Sequence, residues 1–271
     1  METDRTQDVR LVSRCLTLWA NHYLALYKNK TVITDLFYDL RSGEVLLDLL
    51  LILFSCDSSK DSGQLTVGKL NNLSAVLALL QRERVSVDTD LVTAARILQG
   101  ELEPTLSLVW SIAFHYEART TLAAISLPDP AQSPNIESLL TGWVRTVSPG
   151  ASLSSSLLSD GVLLANLVLA TRPNIVAITA ALEFSSQARP NKIYSAISSQ
   201  LHIPSFPVPA CPETADKRVA ILHLLLVMKS LKPRITAEMV SGKSECDTTT
   251  IYPPPSQIVT RRTHSILSPP V

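Results

Sequence analysis

The sequence predicts an all-α fold, and three observations carry that expectation. Glycine is scarce, with eight among 271 residues. Alternating apolar and polar runs of the kind that mark strands are rare, and apolar residues recur at the spacing of helical faces instead. A hydrophobic fraction of 46% over this length supports one or two domains with a sizeable core, and the pattern divides into two.

Taken in chain order, Val12, Leu16, Trp19, Tyr23 and Leu26 follow a 4, 3, 4, 3 spacing that lines one face of a first helix. Lys28, Asn29 and Lys30 close its C-terminal end, and its other face carries Arg10, Ser13, Arg14 and Thr17. Further helices are predicted over 45–54, 69–84 and 105–116, the last with Pro104 in its first turn. Its inward stripe is Leu106, Val109, Trp110 and Ala113. Prolines at 128, 130 and 134 then block a continuous helix and mark residues 119–136 as an exposed linker between a first domain, 9–118, and a second, 137–232.

The pattern restarts after the linker. Leu139, Leu140, Trp143, Val144 and Val147 form a new helical face, and aligning Gly43 with Gly161 pairs Val45 with Leu163, Leu46 with Leu164, Leu49 with Leu167, Leu50 with Val168 and Leu51 with Leu169. Such a long offset suggests a duplicated domain rather than a solenoid. Residues 233–271, rich in Ser, Thr and Pro, are expected to be a disordered tail.

Composition bounds function as well. The two long apolar stretches, 45–54 and 219–228, are about half the ~20 residues needed to cross a bilayer and contain Asp48 and His223. With no apolar signal segment at the N-terminus, the expected location is the cytosol. A formal net charge of zero disfavours a nucleic-acid binder, although residues 1–118 hold 11 basic and 15 acidic side chains. Cys15, Cys56, Cys211 and Cys246 are scattered, which argues against a zinc site or a disulfide framework.

Four stretches of the first half, in order, resemble the tandem calponin-homology actin-binding domain of α-actinin, β-spectrin, dystrophin and filamin. They are LTLWANHYL (16–24), ITDLFYDLRSGEVLLDLL (33–50), KLNNLSAVLALLQRERVSV (69–87) and ILQGELEPTLSLVWSIAFHY (97–116). The second half is similar to that family's second domain through LLTGWVRTV, LLSDGVLLANLV, TRPNIV, LHIPSF and CPETADKRVAILHLLLVMKSL. It is the more divergent half, with Leu158 where the family has tryptophan. By this resemblance the run at 45–54 is the central buried helix of a calponin-homology domain, entered through the Arg41–Ser42–Gly43 turn, where a β-carbon would crowd the backbone.

No constellation supports catalysis. His22, His115, His202, His223 and His264 are far apart, and no GxSxG, HExxH or phosphate-loop motif occurs. A calcium-loop reading of Asp57–Asp61 fails for want of the ligand spacing and terminal Glu. The expectation is therefore a non-enzymatic protein without cofactor or metal. The resemblance implies F-actin as partner and a place in the cytoskeleton. Carried over by position, the actin-binding residues are Arg10, Ser13, Arg14 and Thr17 of the first helix, Leu108, Ser111, Ile112 and His115 of the last, and Lys69 as a flanking contact. A closed arrangement in which the second domain obstructs part of that surface is also implied by the family. Two alternatives stand beside this reading: a parvin-like adaptor or scaffold that has lost actin binding, and a microtubule binder, which the acidic first half disfavours.

One tandem unit without a second binding site is expected to decorate filaments without bundling them, and the absence of a heptad seam in the tail points to a monomer. In the tail, Arg261 and Arg262 precede Ser265, and Ser268 precedes Pro269, which makes both serines candidate phosphosites. YPPPSQ (252–257) is a candidate polyproline ligand for an SH3/WW-type partner.

Overall fold

A computed structural model describes residues 2–26, 31–55, 60–61, 65–125, 127, 134–151, 153, 159–208 and 217–241. The first half contains α1 (Glu2–Leu24), α2 (Leu36–Asp39), a 3-10 turn (Leu40–Ser42), α3 (Glu44–Phe54), α4 (Thr66–Arg82), α5 (Ala94–Gln99) and α6 (Leu102–Ala124). The second contains α7 (Ile136–Arg145), α8 (Val162–Thr171), α9 (Val176–Leu182), α10 (Arg189–Leu201), α11 (Lys217–Leu231) and α12 (Ala237–Ser241). No strand occurs among the described residues, and none of the described helices is long and apolar enough to cross a membrane.

The apolar run at 45–54 becomes α3, the centre of the first half. Leu46, Leu47, Leu49, Leu50 and Leu53 are all buried, as expected of a helix that is apolar on most sides. Asp48, the one acid within 45–54, is buried and ion-paired with Lys60. Entry to α3 is set by Gly43, whose φ of +75° is left-handed and whose missing Cβ would lie 2.8 Å from the Asn72 Cβ. Asn72 holds this corner from α4. Its Nδ2 donates to the Ser42 and Asp61 carbonyls, each at 3.1 Å, and its Oδ1 accepts from the Asp61 N–H at 2.9 Å.

The second half repeats the device. Gly161, at φ +71°, opens α8, and its Cβ would press on Ile193. Three of the five pairs predicted by the alignment are buried in both halves: Leu46 with Leu164, Leu49 with Leu167, and Leu50 with Val168, whereas Val45, Leu51 and Leu169 are half-buried. Side-chain caps start other helices. Asp35 accepts from the Phe37 and Tyr38 N–H groups, Thr93 from Arg96, and Asn135 from Glu137 and Ser138.

The structure differs from the sequence-based expectations at four places. Helix α1 ends at Leu24, so Leu26, expected on its inward face, falls in the following turn and is 73% exposed. Helix α6 runs to Ala124 because Thr121 and Ile125 are buried, so the first six residues assigned to the linker belong to the helix. Trp110, expected inside, is only half-buried. Finally, residues 233–241, expected to be tail, pack: Ile235 is buried, and α12 lies on α7. That approach requires Gly142, where a Cβ would come within 2.1 Å of the Met239 carbonyl oxygen. The cysteines other than Cys15, residues Lys28–Lys30, Leu158, the polyproline run and Ser265 and Ser268 lie outside the described residues.

Helix α11 joins the halves. Every residue from Val219 to Met228 is buried, because α8 and α10 cover it from within the second half while α6 and α1 cover it from the first. This second apolar stretch is thus an inter-half core helix. His223 sits inside it, with the Tyr194 and Phe206 rings edge-on at 4.9 and 5.2 Å. Its Nδ1 has no hydrogen-bond partner among the described residues, and burial pushes its pKa down to about 4.

Candidate functional site

On α1 the candidate residues face outward as a set. Arg10 and Arg14 are exposed, and Ser13 and Thr17 are half-buried beside them. The Thr17 hydroxyl donates to the Ser13 carbonyl at 2.8 Å, so it is engaged with its own helix.

On α6 the set divides. Leu108 and Ile112 are fully buried and are core residues, not contact residues. Ser111 and His115 line a groove of about 510 Å³ on the outer side of α6, together with Trp110, Phe114, Arg84 and Arg119. Trp110 and Phe114, one helical turn apart, stack at 5.4 Å with 28° between their planes and form an aromatic ledge. Arg119 lies over the Phe54 ring at 5.4 Å. Partial burial lowers the His115 pKa, the Arg119 charge lowers it further, and Glu83 opposes them. Lys69 belongs to a different groove, of about 450 Å³, shared with Tyr38, Arg41, Val45 and Leu98, where Arg41 covers the Tyr38 ring at 5.6 Å.

The other sides of α1 and α6 are sealed against α11. Glu117 is 0% exposed; its Oε1 accepts from Trp19 Nε1 at 2.9 Å and from the Tyr23 hydroxyl at 2.5 Å, and its Oε2 pairs with Lys229 of α11. The Thr121 hydroxyl adds a bond to the Leu225 carbonyl at 3.2 Å. Burial raises the Tyr23 pKa, and the Glu117 carboxylate raises it further, so the phenol keeps the proton it donates. Cys15 is also enclosed, and burial pushes its thiol up to about 12 against the opposing charge of Arg14.

At about 100° per residue, Trp19 and Tyr23 lie roughly 180° from Arg10 and Arg14, and Glu117 lies roughly 200° from His115. The seam and the candidate surface are therefore back to back on both helices. The expected obstruction by the second half does not extend to Arg10, Arg14, Ser111 or His115, which remain exposed or half-exposed.

The family model for the calponin homology (CH) domain matches residues 12–118. This segment is similar to the calponin homology domain. Similarity continues beyond it. Rat utrophin is 26% identical over 245 residues, which cover 88% of this chain and 7% of that protein. Human microtubule-actin cross-linking factor 1 is 27% identical over 180 residues, 65% of this chain and 2% of that protein. The crystal structure of the actin-crosslinking core of Schizosaccharomyces pombe fimbrin superposes with a TM-score of 0.56 over 82% of this chain and 48% of that one, at 17% identity, a likeness of fold. The chain thus spans a small fraction of the length of utrophin and of the cross-linking factor and about half of the fimbrin core, and the matched segment takes in α1 from Val12 onward, α2 to α5 and most of α6.

Two features escaped the sequence reading. The Trp110–Phe114 ledge was hidden because Trp110 reads as one more apolar residue. The Glu117–Lys229 pair had a signal: Glu117 is the one acid in 105–118, and Lys229 the one lysine or arginine in 219–231. A lone charge closing an apolar helix asks for a partner.

Proposed function

We propose that the chain is a cytoskeletal protein that binds the side of actin filaments through its calponin homology domain, using Arg10, Ser13, Arg14 and Thr17 of α1, Ser111 and His115 of α6, and Lys69 as a flanking contact. The observation that carries the reading is the open cationic and aromatic surface opposite the seam. Arg10 and Arg14 are exposed on α1, and Arg84 and Arg119 line the α6 groove beside the Trp110–Phe114 ledge, on a half whose net charge is negative. Such a surface suits a filament that is acidic overall and has apolar clefts. The relatives support the reading through the word actin in their names: a microtubule-actin cross-linking factor and the actin-crosslinking core of fimbrin.

Co-sedimentation with actin filaments and, in parallel, microtubules, at two salt concentrations, tests this. Saturable pelleting with actin, weakened by salt and by Arg10→Glu with Arg14→Glu, is the expected result. Pelleting with microtubules alone, or with neither filament, would overturn it; the second outcome would favour the adaptor function.

A further inference from the structure

We propose that Ser86 is a phosphorylation site, and that its phosphate is received by Arg84 and Arg119 in the groove on the outer side of α6. Ser86 is exposed and stands in the segment between α4, which ends at Arg82, and α5, which begins at Ala94. Its side chain lines the groove together with Arg84, Ser111, His115 and Arg119, and its hydroxyl makes no hydrogen bond among the described residues. The preceding Val85 is buried, and its N–H donates to the Leu80 carbonyl at 2.9 Å. That anchor fixes the segment against the first half and keeps Ser86 on the groove side.

The groove holds charge that is free to receive an anion. Arg84 and Arg119 are exposed, and neither guanidinium has an ion-pair partner among the described residues. The acids nearby are engaged elsewhere: Glu83 pairs with Arg82 at 3.4 Å, and Asp88 Oδ1 accepts from the Asp90 and Leu91 N–H groups, each at 3.1 Å. A phosphoserine carries about −1.5 to −2 charges at pH 7 and three acceptor oxygens, and an arginine pair answers both with charge-assisted hydrogen bonds. The same stretch presents the acceptor to an enzyme. Arg84 stands two residues before Ser86 and Arg82 four before, both exposed, which is the basic approach that arginine-directed serine kinases read. Such a kinase moves the γ-phosphoryl group of ATP to Ser86 Oγ: the Oγ–P bond forms as the bond to the β-phosphate oxygen breaks, ADP leaves, and the hydroxyl proton passes to the kinase's base. The consequence rests on the filament reading. A groove that meets an acidic filament with two cations loses them to its own phosphate, so modification releases the chain.

The experiment uses the full chain carrying Ser265→Ala and Ser268→Ala, with ATP and an arginine-directed serine kinase of the protein kinase C class. Peptide mass spectrometry should place phosphate on Ser86, and Ser86→Ala should abolish that phosphopeptide; a folded chain left unmodified at Ser86 would overturn the proposal. Seating in the groove is read without actin. A proton NMR titration of the His115 imidazole, assigned with His115→Gln, should show its midpoint rise by about half a pH unit on phosphorylation, because an anion in the groove favours the protonated ring. An unmoved midpoint would overturn the proposal, since the phosphate would then point to solvent. Co-sedimentation comes last. Where the unmodified chain pellets with actin, phosphorylation should weaken binding about tenfold, the worth of two exposed ion pairs, and unchanged affinity would overturn the regulatory role. If the unmodified chain does not pellet, the filament reading fails and the His115 titration alone decides the site.

Discussion

Substituting Lys229 by methionine keeps the length of the side chain and removes its charge. Glu117 then retains the Trp19 and Tyr23 donors and loses its only ion-pair partner among the described residues, at a position where its own exposure is 0% and water cannot take over. A unit pair about 4 Å apart at an effective dielectric of about 20 is worth roughly 4 kcal/mol. The Lys229 side chain is 23% exposed, so part of this is screened. Removing one partner of a buried pair typically costs about 3–5 kcal/mol. We expect Lys229→Met to cost about 3 kcal/mol. Glu117→Gln should recover much of that loss in the double variant, because the uncompensated charge is gone. Urea unfolding followed by tryptophan fluorescence gives all four corners of the cycle. As a second readout, alkylation of Cys15, in a background where the other three cysteines are serine, should accelerate in Lys229→Met as the seam loosens. A loss below about 1 kcal/mol, the worth of an exposed pair, or a coupling near zero would refute the reasoning.

Other outcomes follow from the same contacts. Burial pushes the His223 pKa down to about 4 from an ordinary 6.5, so the folded state binds fewer protons between these values. Its contribution is complete above about pH 6.5 and is lost as pH falls toward 4, by about 3 kcal/mol in full. Urea titrations across that window should show the slope, and His223→Leu should flatten it. Leu108→Ala should cost about 2–5 kcal/mol as a core truncation, whereas Ser111→Ala should leave stability within about 0.5 kcal/mol and act only on filament pelleting. Gly142→Ala forces a Cβ against the Met239 carbonyl, so hydrogen exchange should rise in α7 and α12 while α3 stays protected, at a cost of about 1–3 kcal/mol.

How much of this was legible beforehand varies by residue. The left-handed Gly43 and Gly161, the central helices they open and the outward Arg10 and Arg14 could all be read from the chain. Each depends on neighbours within a few turns: a glycine where the backbone reverses, an apolar period, a polar stripe. Leu108 and Ile112 could not be separated from Ser111 and His115, because α6 carries apolar residues on more than one side. Trp110 and Phe114 add to that ambiguity, since half-burial of an aromatic is decided by how closely neighbouring elements approach.

By itself, then, the sequence determined the long helices α1, α3, α4 and α6 and the matching glycine entries to α3 and α8, since the 3.6-residue period and the two glycines are local properties. Tertiary structure decided what those helices face. Lys229 finds Glu117 across 112 positions, α12 covers α7 only because Gly142 lets a carbonyl in, and α11 is buried on all sides because two halves share it. Periodicity tells which residues seek cover; only the folded chain supplies the surfaces that cover them.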